Sequence, residues 1–305
     1  QERTGIRNNP ALRPERTVDY EVGFQQKLTQ SSAIKIAAYY KEMRDMIQSR
    51  VFGFVAAPIN SYTTYDNLDF GTVKGFTFQY DLRRTGNISM QLAYTLQFAD
   101  GTGSDANSSR NLTNVGIQRI LYPLNFDERH RFNLTMDYRY GSGKNYNGPT
   151  LFGADIFANT GVNLQGIAVS GRPYTRQNTP DLFGGAGTVG SVNGARLPWN
   201  MTFNARIDRD FYITPADSDR RLSFNVYFRI SNVFNRANTI RVYPVTGSPE
   251  DDGYLRSSIG QQDILTAAGS GRPLNSFLAS YQWRMLNPNF FSLPRRMFVG
   301  LIFNF

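Results

Sequence analysis

Cysteine is absent from the 305 residues, and histidine occurs once, as His130. The first absence removes disulfides, thiolate metal sites and cysteine nucleophiles together. The second rules out a multi-histidine metal cluster, and no nucleophile constellation accompanies the lone imidazole, so catalysis is disfavoured. No run of about 18 apolar residues exists, which excludes a helical membrane span. The start, QERTGIRNNP, has neither an initiator methionine nor a charged-then-apolar signal segment, so the chain reads as a mature or truncated piece of something longer. Acidic residues are the scarcer charge, 24 against 33 basic ones, for a net charge of +9. The arginines are scattered singly and form no patch, which argues against a nucleic-acid partner.

What is present is alternation. With 40% hydrophobic residues and a mean hydropathy of -0.41 the total looks water-soluble. A β-barrel hides in such averages, because only alternate residues face lipid. Val18, Tyr20, Val22 and Phe24 alternate with Asp19, Glu21 and Gln25. Ile34, Ile36, Ala38 and Tyr40 alternate with Lys35, Tyr39 and Lys41, in a strand running on towards Ile47. Phe76, Phe78, Tyr80 and Leu82 follow within 68–82, and Ile88 to Phe98 alternates most cleanly of all. Further rows are Phe132 to Tyr140, a weaker strand near 157–169, Leu197 to Ile207, Leu222 to Ile230, and the closing PRRMFVGLIFNF, ending on Phe305. That predicts nine strands by a period-two reading.

The gaps alternate too. Short turns are expected at 29–31, 84–87, 141–149 and 213–219, and longer connections at 52–61, 101–126, 172–196 and 244–293. An antiparallel barrel with turns on one side of a membrane and loops on the other makes this pattern. A soluble β-sandwich is the competing reading. Its strands are roughly half as long, and it does not call for aromatics at strand ends, such as Tyr138, Tyr140, Trp199, Phe211 and Tyr212. Nine is odd for a single-chain bacterial barrel, so a sheet closed by strands outside this sequence is expected.

Several stretches resemble one family. NPALRPERT at 9–17, running into Tyr20-Glu21-Val22-Gly23-Phe24, is similar to a stretch of TonB-dependent outer-membrane receptors. GTVKGFTF at 71–78, DERHRFN at 127–133, ISNVFN at 230–235 and the aromatic-ended last strand resemble further motifs of that family, in the same order. The lead-in 292–296, SLPRR, looks most like the SusC-like or carboxypeptidase-regulatory-like receptors of Bacteroidetes. The resemblance implies an all-β fold: an antiparallel transmembrane β-barrel, here about the last nine strands of 22. On this reading 1–305 is the C-terminal portion of one barrel domain, without the plug domain, the TonB box and the first strands. It implies TonB-dependent nutrient uptake, multi-pass localisation in the cell outer membrane, and no cofactor. The implied partners are outer-membrane lipids, the plug domain, the TonB complex and a surface lipoprotein. The alternatives are a structural or docking barrel that moves nothing, and, last, a barrel-type enzyme.

The polar rows should line the lumen and meet the plug. Glu21, Arg131, Asp137, Arg139, Arg206, Asp208 and Arg229 are the charged candidates, with cross-strand pairing a stronger expectation than substrate contact. Substrate contact is expected from the long connections. Gly185 to Gly190 spells GxGxxG but lies in a polar loop, without the strand and helix that fingerprint requires. Glu250-Asp251-Asp252 reads as a solvated loop tip in preference to a calcium site. The spacing of Phe277, Tyr281 and Met285 suggests a short helix capped by Asn275 or Ser276.

Overall fold

The computed structural model describes residues 6–53, 61–108, 120–180, 185, 187–213, 222–271 and 273–304. Phe305 and the turn expected at 213–219, from 214 on, lie outside the described residues. Nine strands pair consecutively and antiparallel in one sheet: β1 Arg16–Lys27, β2 Ser32–Gly53, β3 Ser61–Thr85, β4 Ile88–Gly101, β5 His130–Arg139, β6 Thr160–Val169, β7 Asn200–Ile213, β8 Leu222–Ser231 and β9 Arg296–Asn304. The two-residue strand Tyr122–Pro123 adds to β4 off this path.

Register aligns the apolar rows on one face. Phe24, Ile36, Phe78, Tyr94, Phe132, Ala168 and Met201 are successive Cα partners from β1 to β7. A one-residue slip anywhere would turn a whole row to the other side, so the alternation itself specifies the pairing. The row does not run level. Met297, early in β9, traces back through Ile230, Ala205, Leu164, Met136, Met90 and Leu82 to Ser32, the first residue of β2. The apolar band therefore slides along the strands as it crosses the sheet, the stagger that tilted barrel strands produce. Its side chains stay uncovered: Val22 is 74% exposed, Val299 79% and Leu301 65%. Arg209 interrupts the row on β7 and lays its guanidinium 5.2 Å from the Phe211 ring centroid.

The small packed core lies on the opposite, polar face. Val73, Ala99 and Leu124 are buried there against Tyr39 and Met43. Leu124 arrives from the connection after β4, whose Tyr122–Pro123 pairs with Asp100 and Gly101. Tyr39 folds over Gly75 on the neighbouring strand, where any Cβ would collide with its ring, and the tyrosine covers the bare backbone in exchange.

Three expected boundaries need correction. The two ends of the connection placed at 52–61 are strand, and 54–60 lie outside the described residues: Phe52 pairs with Tyr62 and Gly53 with Ser61, so β2 and β3 reach 22 and 25 residues. Past the apolar band the hairpin continues by backbone pairing, so the row signal fades while pairing goes on. Phe52 stacks on Tyr62 at 5.2 Å, with Arg50 over Phe52 at 4.5 Å. The short turn placed at 141–149 spans 140–159 and holds its own ribbon, Thr150–Leu151 with Ala154–Asp155. Residues 197–199 precede β7 and do not belong to it.

The connection after β8 contains two helices, α1 Ser258–Gly269 and α2 Leu274–Met285. The second was expected, but Pro273 holds its N-cap position and no side chain caps it, in place of Asn275 or Ser276. The first gave no periodic signal, having Ser257 as its cap and few large apolar residues. Among the described residues no helix is long and apolar enough to cross a membrane.

Of the motifs, GTVKGFTF at 71–78 lies inside β3, while the stretches at 9–17, 127–133 and 230–235 sit where strands begin or end. β2 bulges between Met43 and Ile47, with Asp45 at φ 58°, and the amide of Ile47 donates to Glu15 at 2.8 Å. Asp45 also pairs with Arg13 at 3.0 Å and Arg16 at 2.9 Å, so the NPALRPER stretch clamps the bulge. Asn232 and Asn235 take positive φ at the end of β8, and Asn232 bonds to the backbone of Arg236 and Leu293.

Candidate functional site

The densest polar constellation lies on the polar face of β5 to β8. Arg139, Gly161 and Asp208 are register partners on three adjacent strands. Because Gly161 has no side chain, Arg139 crosses the middle strand, and a Cβ there would meet its Nη2 at 2.5 Å. Arg139 donates to Asp208 at 2.7 Å and to Asp210 at 3.1 Å. Asn225 donates to the same two carboxylates, at 3.0 and 2.7 Å, and accepts from Arg206 at 2.9 Å. Asp208 is 5% exposed, a burial that a carboxylate tolerates only with such donors. Asp137 pairs with Arg84 from the end of β3.

Five of the seven charged candidates, Asp137, Arg139, Arg206, Asp208 and Arg229, line one trough of about 640 Å³. The other two stand apart. Glu21 sits opposite Tyr39, 3.9 Å from Lys35, and Arg131 donates to Glu128 at 3.0 Å. All seven occupy the face opposite the apolar rows. Sequence reading left out Asn225 and Gly161. An amide on a charged row and a glycine inside a strand were the available signals.

A second constellation joins strand starts at the long-connection end. Asp127, almost fully buried, accepts from the Ala99 amide at 3.0 Å and pairs with Arg196. Burial pushes the Glu128 carboxyl up, but bonds from Arg172 and Arg131 outweigh it and hold it below the usual range. His130 meets the Tyr94 hydroxyl at 3.0 Å and stacks on Trp199 at 5.7 Å, which makes it part of an aromatic cluster at the head of β5. Among the described residues no group of three or more His, Asp or Glu is placed to hold a metal ion.

The third constellation corrects the solvated loop tip expected at 250–252. Asp252 is 1% exposed and accepts from the Tyr254 amide at 2.8 Å and from the Tyr281 hydroxyl of α2. Tyr254 donates in turn to Asp263 of α1. That bond, with burial, raises the Tyr254 phenol to about 12, and burial followed by the Asp252 bond raises Tyr281 as well. Asp252 thus ties the acidic run to the helices, whereas Glu250 stays exposed as expected of a loop tip.

No curated protein matches the sequence. Among solved structures, the outer membrane transporter YddB from Escherichia coli superposes with a TM-score of 0.53 at 14% identity, over 78% of this chain and 32% of that one. The FrpB iron transporter from Neisseria meningitidis (F3-3 variant) gives 0.46 at 12% identity, over 76% and 29%. The chain spans about a third of the length of these transporters. The likeness to YddB is one of fold. The family described as TonB dependent receptor-like, beta-barrel, matches residues 1–233, most of the sequence, and the chain belongs to that family.

Proposed function

We propose that the nine strands are the C-terminal part of the wall of a 22-stranded outer-membrane barrel. The whole receptor takes up a scarce nutrient across a Gram-negative outer membrane, driven through TonB. The observation that carries this reading is the single apolar face that runs over nine strands, slides diagonally and is left largely uncovered by the rest of the described chain. Lipid is the solvent that fits such a face, since a sheet crosses a bilayer only as a barrel. β1 and β9 have no outer strand partner among the described residues, and an open edge is not tolerated in lipid. The remaining strands, the plug domain and the TonB box therefore belong to the same receptor outside this sequence.

In this reading Glu21, Arg131, Asp137, Arg139, Arg206, Asp208 and Arg229 face the lumen and the plug. The long connections carry ligand contact, with α1 and α2 over the mouth. The 292–296 lead-in supports the SusC-like type of Bacteroidetes, and with it a surface lipoprotein as partner. No catalytic step and no cofactor enter the role.

The test is the full-length protein. It should require detergent for extraction, migrate as a heat-modifiable β-barrel, and carry a plug and TonB box upstream. A protein soluble without detergent would overturn the membrane assignment.

A further inference from the structure

Arg206 and Arg229 are direct cross-strand partners on β7 and β8, an arrangement that costs energy through like-charge repulsion. Arg229 in turn stands opposite Phe298 on β9, and Arg296 lies one position up the same face. Each guanidinium rests on a ring: Arg206 on Tyr227 at 4.4 Å, Arg229 on Phe298 at 4.8 Å, and Arg296 on Phe298 at 5.8 Å. Stacking orients the guanidinium groups. Arg206 gives one N–H to Asn225 at 2.9 Å, and its remaining N–H groups with those of Arg229 and Arg296 are left for the oxyanion recognition that a planar fork suits.

The nearby acids are mostly engaged elsewhere. Asp208 and Asp210 are held by Arg139 and Asn225, and Asp137 by Arg84. Among the described residues no carboxylate pairs with Arg229 or Arg296. Arg206 has Asp208 only at 3.6 Å, and its buried Nε makes no hydrogen bond. Arg206 and Arg229 open into the 640 Å³ trough together with the carboxamides of Asn163, Gln165 and Asn204. Those groups can donate to the remaining oxygens of a bound anion.

We propose that Arg206, Arg229 and Arg296 form an oxyanion-binding strip on the polar face of β7 to β9, taking a carboxylate or phosphate group. This rests on the reading of that face as the lumen wall. The anion comes from a solute passing along the wall or from an acidic side chain of the receptor's own plug; the chemistry is shared. Five arginine donors per side chain in a fixed fork suit either oxyanion.

Arginine-selective labelling of the full-length receptor with phenylglyoxal, read by peptide mass mapping, tests it. Inorganic phosphate or citrate should slow labelling of Arg206, Arg229 and Arg296 at least about threefold relative to sodium chloride of equal ionic strength. The exposed Arg83 and Arg176 serve as internal standards and should not change. Protection without added anion that disappears when the plug is deleted assigns the oxyanion to the plug. Protection only with added anion assigns it to a solute. In an R206Q/R229Q receptor Arg296 should lose its protection; if that variant does not fold, the wild-type pattern still decides. Equal labelling with and without anion and plug, or uniform slowing of every arginine, overturns the strip. Neither result touches detergent dependence or heat modifiability, on which the barrel reading stands.

Discussion

Arg139 reaches Asp208 across an intervening strand, and Gly161 is the residue that lets it pass. The contact unites β5, β6 and β7 on the polar face by a bond that skips the nearest neighbour. Gly161→Val should displace the guanidinium and leave Asp208 and Asp210 short of a donor. The expected loss is about 1–3 kcal/mol, that of a buried polar group deprived of its partner. Arg139→Met should cost as much, and the double variant little more than either. Urea unfolding of the receptor in detergent, with the double-mutant cycle, checks this; full additivity would contradict it.

A charge on the apolar face should damage folding where the same charge on the polar face does not. Leu92→Arg is expected to cost about 2–4 kcal/mol and Gln91→Arg less than about 1 kcal/mol. Asn225 cannot serve as a polar control for its neighbour Phe224, since it is buried and bonded to Asp208, Asp210 and Arg206. Heat-modifiable mobility after refolding into vesicles is the readout, and equal effects at 91 and 92 would break the facing assignment.

The nine rows were legible in the sequence because burial on one face forces a period of two, and that period also sets the register. What was not legible obeys other rules. The outer half of the β2–β3 hairpin is held by pairing and by the Phe52–Tyr62 stack, with no apolar row to announce it. Asp252 reads as a loop carboxylate, and only the arrival of Tyr281 from 29 residues away buries it. Of the charged residues, parity gave the face, but it could not show that Gly161 would open a path for Arg139 or that Asn225 would bind both acids. Those depend on neighbours brought in by register.

The clamp on the β2 bulge gives a local prediction. Glu15→Gln keeps an acceptor for the Ile47 amide, whereas Glu15→Ala leaves it without one and should cost about 1 kcal/mol. Hydrogen exchange at Ile47 should accelerate in the alanine variant and stay near wild type in the glutamine variant. Unchanged exchange in both would remove the clamp.

The helical connection after β8 should be alkali-sensitive. Tyr254 is raised from 10.0 to about 12, so its unfolded form releases the proton first as pH rises. Its stabilising contribution is complete below pH 10 and is lost as pH climbs from about 10 to about 12. Near-UV circular dichroism and exchange within 244–293 should show this loss, and Tyr254→Phe should flatten that part of the profile. An identical profile in the variant would contradict the Tyr254–Asp263 tie.

Cysteine is absent from these 305 residues, so single cysteines placed along β4 meet no background thiol within them. Once any cysteine elsewhere in the receptor is replaced, the central claim becomes directly measurable. Nitroxide labels at residues 90 to 97 of the full-length receptor in bilayers report whether lipid-soluble oxygen or a water-soluble nickel chelate reaches each position. Oxygen should dominate at Met90, Leu92, Tyr94 and Leu96, and the chelate or tight packing at Gln91, Ala93, Thr95 and Gln97, alternating at period two. A flat profile, or one with the two sets exchanged, would contradict a barrel wall whose apolar face meets lipid.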